Sequence, residues 1–599
     1  MTDAEPNRAG SRTDFKEVLI FSVVALAVIG VASLFLDSYL VNGLIRAFLY
    51  AAVALTVDVL WGYTGILTFG QSAFFGIGAY AAGLIFTHMG FSAAHAVLAL
   101  IAGIGVAIIV AVAVGWLAFY HGASPLYGSV ISLVLPIIVV QILFAGGTFT
   151  GSSSGLSGFE SFDIAIEVWF RFAGGFLVVL TAGTWIFVRS DAGCVLVAIR
   201  ENESRCEYLG INTSRAKILL LVVAAVVAAI AGYAFAGVQM VVAPEYAGFV
   251  FGTELLVWVA LGGRGTLIGP VIGTLVIDVS TSYLSGNLPF LWKFVLGVAF
   301  VLVIVAMPRG IAPLITGLVR RLTGGSGKTE AAPRLVPVAP ANAESHGRYA
   351  IELQGVRKRF GSLRVLEDIQ LAARRGELVS LVGPNGAGKT TLIRCISDGS
   401  ERSAGTVRIN GHDIEKRPPY ECVAFGIGRK FQTANTFDAL TVAESLRIAR
   451  TRLQGPAFTS RARTLELPEA AIKVIRATGL DKMLEIEARH LSHGQKQALE
   501  LAMVLALEPS VLLLDEPTAG LTKAERTLIG QILADLATGH GLCIVLVEHV
   551  LDFVREISSR VIVLHQGRIV LDGTVAEVVE SELVRTIYSG GVHTQGAPA

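Results

Sequence analysis

The sequence predicts a polytopic α-helical membrane domain of about ten spans followed by an α/β domain built around a phosphate-binding P-loop. Three observations predict it. Hydrophobic residues make up 53% of the chain and charged residues 16%, too apolar for a wholly soluble protein. The apolar runs lie between Val18 and Met307, whereas the chain after Arg348 has the composition of an ordinary soluble domain. Around residues 383–391, "GPNGAGKTT" stands between an apolar strand and a helical run. With 599 residues the chain also exceeds the about 250–300 that one core usually holds.

The residues before Val18 carry Arg8, Arg12 and Lys16, and the apolar run that follows lacks a small-residue cleavage site. It reads as a first span rather than a signal peptide. A ruler of about 20 apolar residues places spans near 18–36, 40–62, 66–88, 94–119, 127–146, 164–188, 218–243, 250–263, 266–284 and 288–307. The basic residues set the orientation. The segments 145–163 and 243–249 carry no Lys or Arg, so they fall outside. The segment 189–217 carries Arg189, Arg200, Arg205, Arg215 and Lys217, so it falls inside. The expected boundaries are a cytoplasmic N-terminus (1–17), a membrane domain (18–322), a flexible linker (323–348) and a nucleotide-binding domain (349–599).

Within the membrane half, the Gly- and Ala-rich stretch 65–83 suits either close helix packing or a pathway lining. Arg46, Asp58, Gln71 and Asp278 are polar groups at membrane depth, where such residues are functional candidates. The inside stretch from Ala198 to Lys217 alternates acidic, basic and apolar residues, with Gly210 as a break. It reads as one short amphipathic helix on the membrane surface. Net charge of +1 gives no reason to expect a nucleic-acid partner. The five cysteines show no metal-type spacing, and reduced thiols are expected.

The chain offers Gly-Lys-Thr twice. The first copy, at 327–329, lies in the Pro-, Ala- and Gly-rich linker. Leu322 stands where a P-loop needs its first Gly, no strand precedes it, and prolines follow. It is a decoy. The second copy has Gly383 and Gly388 at the required spacing, and successive amides there can form an anion nest at a helix N-terminus. Lys389 then reaches the β- and γ-phosphates, and Thr390 offers a hydroxyl to Mg²⁺. Further on, "SVLLLDEP" (510–517) ends a buried strand in two carboxylates. Asp515 suits Mg²⁺, and Glu516 suits orienting or deprotonating a water. A third strand, within 541–550, ends near His549, which is placed to hydrogen-bond a γ-phosphate.

These residues resemble the ATP-binding-cassette (ABC) ATPases from about Ile351 to Gly590. "LSHGQKQ" (491–497) is similar to the family signature, with Ser492, Gly494 and Gln495 in its defining places; His493 replaces the commoner Gly. Gln432 in "RKFQTANTF" resembles the Q-loop glutamine, and Phe360 the aromatic that stacks on adenine, where Tyr is commoner. "AGLT" (519–522) lacks the Asp often found in the D-loop. The resemblance implies ATP and Mg²⁺ as cofactors. Catalysis would fall to Glu516, His549 and Gln432. Nucleotide binding would fall to Phe360, Gly383, Asn385, Gly386, Gly388, Lys389, Thr390 and Thr391, with Ser492, Gly494 and Gln495 serving the opposite subunit. Thr390, Asp515 and Gln432 would hold Mg²⁺.

The membrane half resembles the permeases of branched-chain amino acid importers over most of 18–315, through "WGYTGILTFGQSAFFGIGAY" (61–80), "AIRENESRCEYLGIN" (198–212) and "VALGGRGTLIGPVIG" (259–273). In that family the inside loop is the coupling helix that docks on the ATPase. The resemblance implies a fused permease and ATPase that imports branched-chain or other hydrophobic amino acids across the plasma membrane, with the N-terminus and ATPase cytoplasmic. "GIGRKFQ" and "LSHGQKQ" look closer to the urea and short-amide branch, which gives an alternative substrate class. A reading of another class is a membrane-anchored regulatory ATPase without transport. An exporter is disfavoured, since exporter halves usually have about six long spans with extended inside helices. Implied partners are a second permease and a second ABC ATPase (or a second copy of this chain), an extracytoplasmic solute-binding protein and membrane lipid.

Overall fold

The computed structural model describes residues 15–120, 125–287, 333–338, 348–461 and 464–589, with scattered positions between 291 and 317. The described chain forms two compact units. Unit 1 holds Met1–Arg200, Thr213–Ala331 and Phe458–Arg461; unit 2 holds Glu201–Asn212, Ala332–Ala457 and Ala462–Ala599.

Unit 1 is helical. Its long apolar helices are α1 (Phe15–Ala32), α2 (Ser38–Asp58, continuing as a π-turn to Tyr63), α3 (Gln71–Met89), α4 (Ala93–Phe119), α5 (Pro125–Ala145), α6 (Ile166–Val188) and α9 (Thr213–Gln239). These seven are long and apolar enough to cross a membrane, and they coincide with the first seven expected spans. The eighth and ninth expected spans are the helices α10 (Phe249–Gly262) and α11 (Ile268–Asn287). The tenth, 288–307, lies largely outside the described residues. Helix starts follow local chemistry: Asp37 accepts from Leu40 N at α2 and Ser92 from His95 N at α4, each satisfying an orphan amide. Small residues serve packing here, because a Cβ on Gly78 of α3 would run into the Ala229 carbonyl of α9. β1 (Leu156–Ser157) and β2 (Val241–Val242) pair antiparallel.

All four polar groups singled out at membrane depth have specific partners. The Asp58 carboxylate accepts from Gly265 N at 2.6 Å and Leu267 N at 3.2 Å. Gln71 is buried and accepts from Thr56 Oγ1 at 3.4 Å. Arg46 Nη2 pairs with Asp278 Oδ2 at 3.2 Å.

The inside stretch departs from the single surface helix expected. After α7 (Asp191–Glu201), Asn202 caps a new short helix, α8 (Glu203–Tyr208), by accepting from Arg205 N at 2.9 Å. Leu209 and Gly210, the latter at φ +82°, then end it. α8 belongs to unit 2, where Arg205 and Cys206 are fully buried.

Unit 2 is an α/β cassette. A parallel core is set by β6 (Leu378–Val382), β9 (Ile427–Lys430), β11 (Val511–Asp515), β12 (Cys543–Val547) and β13 (Arg560–His565), with β14 (Arg568–Gly573) antiparallel at one edge; the order is β14-β13-β6-β12-β11-β9. A second sheet, antiparallel, runs β5 (Leu363–Ala373), β4 (Ile351–Phe360), β7 (Ala404–Ile409), β8 (His412–Asp413). The continuous apolar strands of the first sheet are buried on both faces, as parallel strands must be. Leu353, Leu371, Leu381, Leu392, Leu513, Val545 and Ile562 share one core between the sheets. Helices α12 (Lys389–Ser397), α13 (Val442–Gln454), α14 (Glu469–Ala477), α15 (His493–Leu505) and α16 (Lys523–His540) cover it.

One stretch expected to be tether is structured. β3 (Arg334–Val338) pairs in parallel with β10 (Thr464–Pro468). Its Leu, Val, Val pattern suits a strand, and Pro337 is tolerated because the two-stranded sheet consists of edges. The first Gly-Lys-Thr, including Lys328, lies outside the described residues.

Candidate nucleotide site

Four parallel strands deliver the site. β6, β9, β11 and β12 end at the same edge of the sheet, and ligands in open α/β sheets bind beyond such carboxyl ends. β6 ends at Val382 and gives way at once to the loop 383–388, which feeds α12. Only Gly fits position 383, because a Cβ there would meet the Leu564 carbonyl. Gly386 and Gly388 take φ +82° and +103°, conformations that favour glycine. Asn385 and Gly386 are exposed on the loop, while Thr390 and Thr391 open α12. The arrangement is an amide nest at a helix N-terminus, which attracts phosphate.

Lys389 is buried, and its Nζ donates to Gly383 O at 2.8 Å and Pro384 O at 2.9 Å. Burial lowers its pKa, while the Glu516 and Asp515 charges oppose that. Those carboxylates stand at the end of β11. Asp515 Oδ1 accepts from Thr390 Oγ1 at 3.4 Å. Burial pushes the Asp515 carboxyl up, and the Thr390 hydrogen bond pulls it down.

Glu516 is gripped from both sides. Its Oε2 accepts from Gln432 Nε2 at 2.9 Å, and its Oε1 lies 3.0 Å from His549 Nε2. Its backbone takes φ +44°, with its N–H donating to Val547 O at 2.9 Å. A non-glycine residue in that region is uncommon and strained; here the strain turns the carboxylate towards the Gln432 and His549 side chains. Residues far apart in sequence, 432, 516 and 549, thus meet.

Ser492 caps α15, and Gly494 and Gln495 lie in its first turn. Ser492 Oγ accepts from Gln495 N at 3.3 Å, and Gln495 Oε1 accepts from Ser492 N at 3.0 Å. The signature is therefore also a capping box. His493 Nε2 lies 3.2 Å from Ala519 O of the D-loop. Phe360 is half exposed, with Lys358 Nζ 4.6 Å above its ring.

Three residues escaped the sequence reading. Glu548 Oε1 accepts from Thr518 N at 3.1 Å and Thr518 Oγ1 at 2.6 Å, and Glu548 Oε2 accepts from His549 N at 3.2 Å. It ties the strand end that carries His549 to the segment after Glu516. The second and third are Arg205 of α8 and Glu500 of α15, both fully buried and 3.3 Å apart. Glu500 Oε1 also accepts from Phe431 N at 3.1 Å, one residue before Gln432. Arg205 Nη1 donates to Arg429 O at 3.0 Å, and Arg429 Nη1 donates to Tyr208 OH at 2.8 Å. Only Glu500 left a signal, as the one acid in the apolar run "ALELAMVLAL".

The residues present fit a hard divalent cation. Thr390 and Asp515 bring two oxygens together, and with the Gln432 amide carbonyl they supply the neutral and anionic oxygen donors that Mg²⁺ prefers. Among the described residues no cluster of His, Cys, Asp and Glu forms a dedicated metal cage.

A family described as the permease component of the branched-chain amino acid transport system matches residues 39–304, and the ABC transporter family matches residues 366–519. The high-affinity branched-chain amino acid transport ATP-binding protein BraF of Pseudomonas aeruginosa is 31% identical over 253 residues, 41% of this chain and 98% of that protein. The corresponding protein LivG of Salmonella typhimurium is 33% identical over 250 residues, 40% of this chain and 97% of its own. The ribose import ATP-binding protein RbsA of Caldanaerobacter subterraneus is 29% identical over 235 residues, covering 39% of this chain and 47% of its own length. With the permease match in the apolar helical half and the cassette match around the P-loop, the chain belongs to the ABC transporter family, a membrane permease domain and an ATP-hydrolysing cassette in one polypeptide.

Proposed function

We propose that the chain is the fused permease and ATPase subunit of an importer that carries branched-chain or other hydrophobic amino acids across the plasma membrane. The grip of Gln432 and His549 on Glu516 is the observation that supports the hydrolytic part most directly. A carboxylate fixed on both oxygens beside a phosphate loop has the position of a base that orients and deprotonates a water. Lys389 and the 383–390 amides would hold the β- and γ-phosphates, and His549 would contact the γ-phosphate. Phe360 would stack on adenine. Thr390, Asp515 and Gln432 would hold Mg²⁺, which supplies charge neutralisation on the phosphates.

Ser492, Gly494 and Gln495 stand in the places of the ABC signature, so by that resemblance their nucleotide would belong to a second cassette. The working unit then needs two cassettes and two permease halves: this chain with a second permease and ATPase, or two copies of it. An extracytoplasmic binding protein would deliver solute. The distribution of Lys and Arg supports an inside N-terminus and ATPase.

BraF and LivG support the amino acid substrate. The likeness of "GIGRKFQ" and "LSHGQKQ" to the urea branch favours urea or a short amide as the second reading. Glu516→Gln tests the site. It keeps the shape and removes the base, so ATP binding should persist while hydrolysis falls by about a hundredfold or more. Hydrolysis at the wild-type rate would refute the assignment.

A further inference from the structure

The expected spans scatter Arg46 and Asp278 across the sequence, yet unit 1 brings them together over a separation of 232 residues. Arg46 Nη2 lies 3.2 Å from Asp278 Oδ2 and donates to Ser282 Oγ at 2.7 Å, while Arg46 Nε donates to Asp278 Oδ2 at 3.3 Å. Spacing makes this a pair of polar faces. Asn42 and Arg46 lie one turn apart on α2, and Asp278 and Ser282 one turn apart on α11. Asn42 itself accepts from Gln239 Nε2 at 3.1 Å.

The pair lies deep. Arg46 is eight residues into α2, about 12 Å along its axis, and Asp278 is ten residues into α11, about 15 Å. It is also open on one side: the Arg46 side chain keeps 34% of its surface, against 7% for Asp278. A guanidinium open at that depth is costly against lipid and is usually found facing a water-filled path.

We propose that Arg46 and Asp278 line the solute pathway and recognise the two charges of a zwitterionic amino acid. This rests on the amino acid reading above and deepens it. The carboxylate of the solute would take the Arg46 guanidinium, and its ammonium the Asp278 carboxylate. The exchange is electrostatically self-complementary: each fixed charge swaps one opposite charge for another, so no unpaired charge is left at membrane depth at any stage. An uncharged solute such as urea or ribose cannot replace either partner. Tyr50 and Tyr246 lie within electrostatic reach of Arg46, and the Tyr50 ring is 5.8 Å from Trp258. Trp258 in turn lines a shallow hollow with Phe249, Val250, Thr253, Glu254 and Val257, most of whose wall is apolar, the kind of surface that suits an apolar side chain.

The test is uptake of radiolabelled L-leucine, urea and ribose by cells carrying the full assembly, with ATP binding measured on the same membranes as a check of folding. Arg46→Gln with Asp278→Asn removes both charges at nearly constant shape. Leucine uptake should fall about thirtyfold or more. Wild-type leucine uptake in that variant would reduce the pair to a helix fastener and overturn the proposal. Arg46→Lys keeps the charge and loses the forked geometry, so the KM for leucine should rise about tenfold with kcat held within about twofold. A loss confined to kcat would also overturn it, and this variant decides the matter should the double variant fail to accumulate. Wild-type uptake of urea or ribose without leucine would instead refute the amino acid reading itself, and this assignment with it.

Discussion

The two units bury an arginine–carboxylate pair in opposite ways. In the cassette, Arg205 and Glu500 are sealed, with no exposed surface on either side chain. The interactions around them are local: Arg205 donates to the Arg429 carbonyl and, through Nη2, to the Glu500 carbonyl at 3.3 Å, and Glu500 meets the Phe431 amide and Lys430 Nζ at 3.7 Å. In the membrane unit, Arg46 remains one-third exposed beside a nearly buried Asp278. A sealed pair transmits position, because moving one partner must drag the other or break a contact in low dielectric. An open pair can exchange partners. The difference assigns rigidity to the one and solute exchange to the other.

The sealed pair also has a particular address. The chain leaves unit 1 after Arg200 and returns to it at Thr213. Within the excursion, α8 places Arg205 against the strand end that leads into Gln432 and against the helix that begins at the signature. Through Phe431 N, Glu500 fixes the backbone one residue from the glutamine that holds Glu516. A rotation of α8 would therefore be felt at the candidate base, which is what a coupling segment between transport and hydrolysis requires.

The largest expected effect breaks the sealed pair at its hub. Glu500→Ala leaves Arg205 and Lys430 buried without a carboxylate and removes the acceptor of Phe431 N. Losing one partner of a buried ion pair costs about 3–5 kcal/mol. The thermal midpoint of the cassette should drop by several degrees, measured by calorimetry on the full chain, and ATP hydrolysis should fall with it. An unchanged midpoint would show that the network carries no structural weight.

Arg205→Met should do less to stability and more to coupling. Glu500 then keeps Lys430 and the Phe431 amide, while two backbone carbonyls lose a donor, at a cost of about 1–3 kcal/mol. ATP hydrolysis should survive while solute flux per ATP falls. Equal losses in flux and hydrolysis would mean that Arg205 only supports the fold.

The cassette was more legible in the sequence than the membrane unit for a physical reason. Phosphate binding demands particular residues at fixed offsets, so Gly383, Lys389, Thr390 and Asp515 could be placed from spacing alone. The spans demand only apolarity and length, which located seven helices yet said nothing of which met. No pattern joins Arg46 to Asp278, because the pairing is decided by how α2 and α11 pack. The alternating charges of α8 look solvated and point to a membrane-surface helix, whereas the resemblance to a coupling helix points to the cassette, where the segment lies. Burial of Arg205 becomes affordable only where Glu500, supplied 295 residues later, is waiting. β3 was read as tether because Pro337 masks a strand that has one partner. The capping box of Ser492 and Gln495 was visible as spacing but was absorbed by the family signature.

A third buried charge, Asp58, should give the mildest loss. Asp58 is held by backbone: its two oxygens take the amides of Gly265 and Leu267, and the neighbouring Arg264 lies over the Trp61 ring, 5.2 Å from its centroid. Such a carboxylate clamps a loop rather than a partner side chain. Asp58→Asn keeps one acceptor and turns an amide donor towards the other backbone N–H, so one hydrogen bond is lost at a cost of about 1–2 kcal/mol. The loss should stay local. Limited trypsin digestion should cut faster after Arg264, as the loop 263–267 opens more often, while the thermal midpoint moves by only a degree or two. The same variant should leave leucine uptake nearly intact, since Asp58 faces backbone rather than an open path. A large fall in uptake with no change at Arg264 would move Asp58 from the clamp to the pathway, and the contrast between sealed and open charge would then need redrawing.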